Sequence, residues 1–229
     1  MTECRASANE IDAAGVVLAG GRSSRMGRDK ALLPFAGRPL IAHAISILHE
    51  AGLTASIAGA GEALRSLASS LPGSPPVIAD PEPGLGPLAG ICAALQSTTA
   101  SRAVFLPVDA PFLPPSLLVY MVRHATITGH AVTVPAVNGF VETFPVVIDR
   151  ATLPILRAEL EAGRNGCFSA FQAAASALDQ PVSILAVELL AQSGQVSHPR
   201  GLAPFRWFLN LNDASALATA EELAIRDIA

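Results

Sequence analysis

Short, mostly uncharged runs of apolar residues alternate with segments of helical periodicity along most of the chain. The runs are rich in β-branched residues, which is typical of buried strands, and they predict strands over 15–18, 53–58, 76–79, 102–106, 130–134, 140–148 and 182–187. Apolar positions three and four residues apart predict helices over 40–50, 62–70, 88–97, 114–125, 153–160, 164–175 and 214–225. This alternation predicts an α/β fold, with a mainly parallel central sheet and helices on both faces.

Three segments of the second half are less regular. Phe140–Ile148 contains Pro145, which has no N–H for a sheet ladder, so we expect an edge or kinked strand there. Residues 188–204 follow neither period and are predicted to be irregular. Apolar and amide residues alternate over Phe208–Asp213, which predicts a short last strand with its two asparagines on one face.

Length and composition favour a single domain. With 229 residues, 51% of them hydrophobic, the chain can bury one sizeable core. No repeat, low-complexity tract or linker divides it. We therefore expect a flexible polar leader over 1–12 and one domain over 13–229.

Charge and hydropathy argue against several classes of function. The formal net charge of -4 disfavours a general nucleic-acid-binding protein, because such binding depends on neutralised phosphates. The chain has no run of about 18 apolar residues that would predict a transmembrane helix, and its first dozen residues lack the apolar region of a signal peptide. We expect a cytoplasmic protein without nucleic-acid or membrane partners.

The stretch Leu18–Leu33 concentrates chemical groups directly after the first predicted strand. Gly20 and Gly21 allow the backbone to approach a ligand closely. They are followed by cationic side chains at Arg22, Arg25, Arg28 and Lys30. Loop amides next to guanidinium and ammonium groups suit a polyphosphate. The spacing matches neither the GxxxxGK[ST] phosphate loop nor the GxGxxG dinucleotide motif.

Two carboxylates follow later predicted strands. Asp80 precedes a loop rich in glycine and proline, a position where ligands bind at the carboxyl edge of an α/β sheet. Taken alone, this residue is better explained as the cap of a turn. Asp109 follows the strand over 102–106 in a proline-stiffened turn. Mg²⁺ takes one or two such carboxylates together with phosphate oxygens, so Asp109 is the candidate metal ligand, with an Asx turn before the next helix as the alternative.

Three strings in order resemble a known enzyme family. They are LAGGRSSRMGRDK from Leu18, GPLAG from Gly86 and FLPVDAPFLP from Phe105. The first is similar to the signature loop of nucleotidyltransferases that activate a phosphorylated acceptor with an NTP. In detail, all three most resemble bacterial molybdenum cofactor guanylyltransferases, which join GMP from GTP to molybdopterin. The resemblance covers about residues 14–220.

The resemblance implies a Rossmann-like three-layer nucleotidyltransferase fold and a role for each matching residue. The implied nucleotide-binding residues are Leu18, Ala19, Gly20, Gly21, Arg22, Lys30, Asp80, Gly86, Pro87, Leu88 and Asp109. The implied catalytic residues are Arg25, Lys30 and Asp109. Asp109 is also the implied ligand of Mg²⁺, the expected cofactor.

The family's acceptor motif is only partly present near the C-terminus. Asn210 and Asn212 match its two asparagines and are the implied acceptor-binding residues, but the Thr-Pro that follows in the family is replaced in NLNDASAL. Ala58-Gly59-Ala60 also stands where relatives often carry an asparagine at the end of the second strand. The departures affect the acceptor assignment more than the nucleotide assignment.

The expected substrates are GTP and molybdopterin. Molybdoenzyme apoproteins and other cofactor-pathway proteins are further candidate partners. The alternatives left open are a molybdenum cofactor cytidylyltransferase, a sugar-phosphate nucleotidyltransferase and a non-catalytic nucleotide-binding regulator. The LAGG and GPLAG strings favour guanine over cytosine, and the presence of both Asp109 and Lys30 favours an enzyme over a regulator.

Overall fold

The structure is a computed structural model that describes residues 12–19, 29–79, 85–212 and 214–225. Its strands are β1 (Ala13–Leu18), β2 (Pro34–Phe35), β3 (Arg38–Pro39), β4 (Thr54–Ala58), β5 (Val77–Ile78), β6 (Arg102–Pro107), β7 (Val132–Val137), β8 (Phe140–Val141), β9 (Val146–Asp149) and β10 (Ser183–Ala186). Its α-helices are α1 (Leu40–Glu50), α2 (Glu62–Ser70), α3 (Pro87–Ser97), α4 (Pro115–Thr128), α5 (Leu153–Glu161), α6 (Cys167–Ala177), α7 (Val187–Gln192), α8 (Pro204–Trp207) and α9 (Ala214–Ile225). Short 3₁₀ turns lie at Lys30–Leu32 and Arg150–Thr152.

The central sheet has the strand order β10-β7-β9-β6-β1-β4-β5, and β8 pairs with β7 at its side. β1 is parallel to both β4 and β6, β4 is parallel to β5, and β10 is parallel to β7. β9 is antiparallel to both of its neighbours, β6 and β7. Along this path every strand except β9 therefore runs in one direction, which confirms the mainly parallel sheet.

Helices cover both faces of the sheet. Alternate side chains of a strand point to opposite faces. On β6, Val104 and Leu106 accordingly pack in one hydrophobic cluster with residues of α1, α2 and α4, and Ala103 and Phe105 pack in the other with residues of α3, α5 and α6. These four β6 side chains are fully buried. The arrangement confirms the predicted three layers.

The segment predicted as one strand over Phe140–Ile148 forms two strands instead. β8 and β9 are separated by Glu142–Pro145, and the Phe144–Pro145 peptide bond is cis. Of the two alternatives, the edge position is wrong for β9, because it lies inside the sheet between β6 and β7. The interruption between β8 and β9 agrees with the kinked alternative. Pro145 precedes the ladder of β9 and therefore has no hydrogen bond to break there.

The C-terminal region also differs from its prediction. The stretch 188–204, expected to be irregular, contains most of α7 and the first residue of α8. The described part of Phe208–Asp213 is not a strand, so this prediction is also wrong. Trp207 is buried in the core and its Nε1–H donates to the Leu202 carbonyl at 2.7 Å. The burial of the Trp207 ring among distant core residues, which no local period encodes, shapes this segment.

Among the described residues, no helix combines the length and the apolar character needed to cross a bilayer.

Candidate active site

The carboxyl ends of the parallel strands meet at one edge, where backbone hydrogen bonds continue past the strands. The Ala19 N–H donates to the Ala58 carbonyl at 2.9 Å, and the Val108 N–H donates to the Leu18 carbonyl at 3.3 Å. Ligands of open α/β sheets bind at such an edge. The start of the Gly-Gly loop and the loop that carries Asp109 are therefore neighbours.

Three predicted site residues from distant parts of the chain meet at this edge. The Lys30 Nζ donates to Asp109 Oδ2 at 2.7 Å and to Asn212 Oδ1 at 2.6 Å. Lys30 is separated from Asp109 by 79 residues and from Asn212 by 182 residues along the chain. Lys30 is also the only lysine in the sequence. One ammonium group thus joins the first motif, the third motif and the C-terminal asparagine.

A local turn places Lys30. The Asp29 carboxylate accepts from the Ala31 N–H at 3.0 Å and caps the 3₁₀ turn that begins at Lys30. Ala31 is fully buried, and the Leu33 carbonyl accepts from the Leu40 N–H at 2.9 Å, which joins the turn to the start of α1. The lysine therefore extends from an anchored turn rather than from a free loop.

The loop of Asp109 is held from two sides. The Leu211 N–H donates to the Asp109 carbonyl at 2.9 Å. On the other side the Phe112 ring packs edge-to-face against Phe35 of β2, with ring centroids 5.7 Å apart. Both rings are buried. The segment before α9 and the β2–β3 hairpin thus support the same carboxylate.

His43 of α1 fastens this hairpin, a role that its sequence position does not reveal. Its Nε2 lies 2.8 Å from the Phe35 carbonyl and its Nδ1 lies 3.3 Å from an Arg38 nitrogen. Because a carbonyl only accepts, Nε2 carries the proton and the neutral Nδ1 accepts from Arg38. Burial lowers the pKa of His43, with a smaller contribution from the Arg38 charge, while the bond to the Phe35 carbonyl opposes the shift.

The Lys30–Asp109 pair is shielded but not sealed from solvent. Its side chains are 21% and 14% exposed. A charged hydrogen bond of this kind contributes about 1.5–3 kcal/mol when desolvation is moderate. Incoming phosphate oxygens could therefore replace Asp109 as partners of the ammonium without first opening the core.

The donor set at Asp109 fits a magnesium ion held partly by substrate. Among the described residues there is no group of three or more His, Cys, Asp or Glu side chains that could hold a metal. Mg²⁺ does not require such a cage, because it is commonly bound by one or two carboxylates and completes its shell with phosphate oxygens and water. Asp109, partly exposed at the sheet edge, can supply that one carboxylate.

The GPLAG segment forms the start of α3. Gly86 is exposed, with φ 81° and ψ -170°, a conformation that essentially only glycine adopts. Pro87 follows as the first helical residue. The side chains of Leu88, Leu18 and Ala19 are buried, so any contact of these three residues with a ligand would come from the backbone.

The remaining predicted site residues are of two kinds. Gly20, Gly21, Arg22, Arg25 and Asp80 lie outside the described residues. Asn210 is exposed, and its backbone carbonyl accepts from the Asn212 N–H at 3.1 Å. Of the predicted asparagine pair, Asn212 alone bonds to Lys30 among the described residues.

Comparison with known proteins shows the family of this chain. A family model described as a MobA-like NTP transferase domain matches residues 15–187. The chain belongs to this family. The matched range contains all three motifs and ends before Asn210 and Asn212. The family match therefore does not include the segment predicted to bind the acceptor.

Relatives of this NTP transferase include curated guanylyltransferases. It is 44% identical over 105 residues to a molybdenum cofactor guanylyltransferase of Xanthomonas euvesicatoria, across 45% of this chain and 50% of that protein. It is 33% identical over 152 residues to one of Pseudomonas putida, across 66% of this chain and 77% of that protein. The chain spans about half the length of several curated relatives it matches.

A solved structure shows the same fold. Molybdopterin-guanine dinucleotide biosynthesis protein A from Archaeoglobus fulgidus superposes with a TM-score of 0.73 at 21% identity, across 93% of this chain and 99% of that chain. The predicted nucleotidyltransferase fold is therefore confirmed for this MobA-like NTP transferase.

Proposed function

We propose that this MobA-like NTP transferase moves GMP from GTP to the terminal phosphate of molybdopterin and releases pyrophosphate. The observation that carries the proposal is the contact of Lys30 with both Asp109 and Asn212. It joins residues of two nucleotide motifs to a residue of the acceptor motif around one cation. The printed names of the relatives, molybdenum cofactor guanylyltransferases, support the same substrates.

The reaction needs alignment and charge neutralisation more than covalent chemistry. An oxygen of the acceptor phosphate attacks the α-phosphorus of GTP, the bond from that phosphorus to the bridging oxygen breaks, and its electron pair leaves with pyrophosphate. Lys30 would exchange Asp109 for phosphate oxygens as the substrate binds, and Arg25 would share in neutralising the phosphates. The ammonium thereby stabilises charge that grows on the leaving group.

The remaining motif residues would orient the two substrates. The backbone of Leu18–Gly21, together with Arg22, would contact the base and phosphates, and Asp80 with Gly86–Leu88 would hold the nucleoside. Asn210 and Asn212 would contact the acceptor. In this arrangement the two phosphate groups meet beside Lys30.

Asp109 would hold Mg²⁺, whose donor requirements it meets. When bound, the ion would act as a Lewis acid and neutralise phosphate charge. Before substrate binds, Lys30 supplies the positive charge that offsets the Asp109 carboxylate.

A ligand screen followed by a product assay tests the proposal. Melting temperature is measured with Mg²⁺ and each of GTP, CTP, UTP and ATP, because a ligand that binds the folded state stabilises it by mass action. We expect the largest increase with GTP, and pyrophosphate release when molybdopterin is then added. The Lys30→Ala variant should lose both the GTP shift and turnover, since its charge meets phosphates in the ground and transition states. A larger shift with CTP, accompanied by CMP transfer, would contradict the choice of guanine.

A further inference from the structure

The loop that carries Asp109 runs beside a later stretch of the chain, 197–211, which we call the C-terminal segment. At one end of the loop, the Leu211 N–H donates to the Asp109 carbonyl at 2.9 Å. At the other end, Ser116 Oγ donates to the Ser197 carbonyl at 2.7 Å and accepts from the Ser197 N–H at 3.1 Å. The order of these contacts shows that the loop and the C-terminal segment run in opposite directions and are fastened at both ends.

Arg200 contacts the same loop between these two ends. Its guanidinium carbon lies 5.9 Å from the centroid of the Phe112 ring, within the range of a cation–π interaction. Arg200 is exposed and the Phe112 ring is 2% exposed, so the arginine stem can cover the ring while the charged head remains in solvent. Together with Phe35, which packs edge-to-face against it, Phe112 has contacts with both the β2–β3 hairpin and the C-terminal segment.

Arg200 is itself held by an anchored turn and by the last helix. Its N–H donates to His198 Nδ1 at 3.0 Å, and the Gly201 N–H donates to the His198 carbonyl at 2.9 Å. The His198 ring lies 6.2 Å from the ring of Trp207, which is buried in the core. A guanidinium nitrogen of Arg200 donates to the Leu223 carbonyl of α9. The guanidinium therefore joins Phe112 to α9 from a fixed position.

A short and stiff link connects Phe112 to the candidate metal ligand. Only Ala110 and Pro111 separate Phe112 from Asp109. Pro111 has a fixed φ and restricts the backbone of Ala110 before it, so a displacement of the ring is passed on to Asp109. The Asp109 carboxylate accepts from Lys30 at 2.7 Å, and this contact is sensitive to small shifts of the loop.

We propose that Arg200 is a positioning residue for Asp109, which acts by holding the Phe112 ring and with it the loop. Arg200 lies outside the three motifs and outside the matched range 15–187. The effect on turnover rests on the proposed function, whereas the effect on the contact of Asp109 with Lys30 does not.

The ammonium signal of the only lysine tests the proposal without catalysis. Arg200→Met keeps an unbranched stem and removes the charge. Arg206→Met is the matched control, because Arg206 lies 5.5 Å from the centroid of the Phe205 ring, which belongs to α8 and is 55% exposed. In ¹⁵N-lysine spectra the Lys30 ammonium signal should shift in Arg200→Met and stay in place in Arg206→Met.

Two results of this experiment would overturn the proposal. An unchanged ammonium signal in Arg200→Met does so even if its melting temperature falls, because Arg200 would then stabilise the fold without positioning Asp109. An equal shift in Arg206→Met does so as well, because the shift would then follow from the loss of any positive charge in the C-terminal segment.

Kinetics test the consequence for the reaction. A misplacement of about 1 Å can lower a rate about 100-fold, and the smaller loop shift expected in Arg200→Met should lower kcat about tenfold, with the acceptor KM within about twofold of wild type. Arg200→Lys keeps a cation near the ring and should restore kcat to within about threefold. A wild-type kcat in Arg200→Met, or an effect confined to the acceptor KM, overturns the proposal. Absent GMP transfer by the wild type, with the ammonium shift in Arg200→Met intact, would contradict the proposed function alone.

Discussion

Replacing Asn212 by alanine removes one of the two side-chain oxygens that bond to Lys30. The lost hydrogen bond is charged and 2.6 Å long, and such bonds contribute about 1.5–3 kcal/mol when shielded. Asn212 is exposed and the Lys30 side chain is 21% exposed, so solvent screening reduces the expected value to about 1 kcal/mol. We therefore expect about a fivefold effect on any step that depends on the position of Lys30.

A double-mutant cycle isolates this contact from other effects of the substitution. Unfolding free energy and kcat/KM are measured for Asn212→Ala, Lys30→Met and the double variant. The coupling should be about 1 kcal/mol in unfolding free energy, whereas Asn210→Ala, whose side chain does not bond to Lys30, should couple by no more than the usual scatter of about 0.3–0.5 kcal/mol. Because Lys30 is the only lysine, ¹⁵N-lysine labelling gives one side-chain ammonium signal, which should shift in Asn212→Ala and not in Asn210→Ala.

The outcome also separates two roles for Asn212. An effect confined to the acceptor KM assigns it to acceptor binding, and a joint loss in GTP affinity and kcat assigns it to positioning Lys30. Additive single variants together with an unchanged ammonium signal would refute the contact and the reasoning built on it.

Three further predictions concern other parts of the molecule. Asp109→Asn should leave the melting temperature near that of wild type and lower turnover about 100-fold or more. Wild-type turnover at saturating Mg²⁺ would contradict the assignment of Asp109 as a metal ligand. In Gly86→Ala the new Cβ has no atom within 4 Å, but the alanine must adopt φ 81°. The free energy of unfolding should therefore fall by about 1–3 kcal/mol from backbone strain alone. An unchanged free energy in a denaturant titration would contradict that strain. The pKa of His43 is lowered in the folded state from 6.5, so below about pH 6.5 the unfolded state binds more protons and stability falls as the pH drops. His43→Gln keeps one donor and one acceptor, and it should reduce the dependence of unfolding free energy on pH. Some dependence should remain, because burial and the His130 charge also lower the pKa of His124. An unchanged dependence on pH would contradict the role of His43.

Local patterns in the sequence determined most of the elements and supplied a hypothesis about the chemistry. The helix predicted over 40–50 and that over 62–70 have the observed bounds, because an amphipathic period is a property of neighbouring residues. The β-branched run before the Gly-Gly loop likewise forms β1. The motifs around Lys30 and Asp109 predicted a polyphosphate site, and the structure brings these two side chains together at 2.7 Å. Their roles toward phosphate and metal stay predictions.

Only the tertiary structure decided which elements and side chains meet. No local period shows that β9 inserts between β6 and β7, or that the segment after Trp207 leaves strand geometry so that Leu211 bonds to the Asp109 loop. The contact of Lys30 with Asn212 spans 182 residues, and it exists because packing on both faces of the sheet brings the turn of Lys30 and the segment before α9 to one edge. Strand order and such distant contacts follow from burial of the whole core, which is a collective property and not one that a short stretch of sequence encodes.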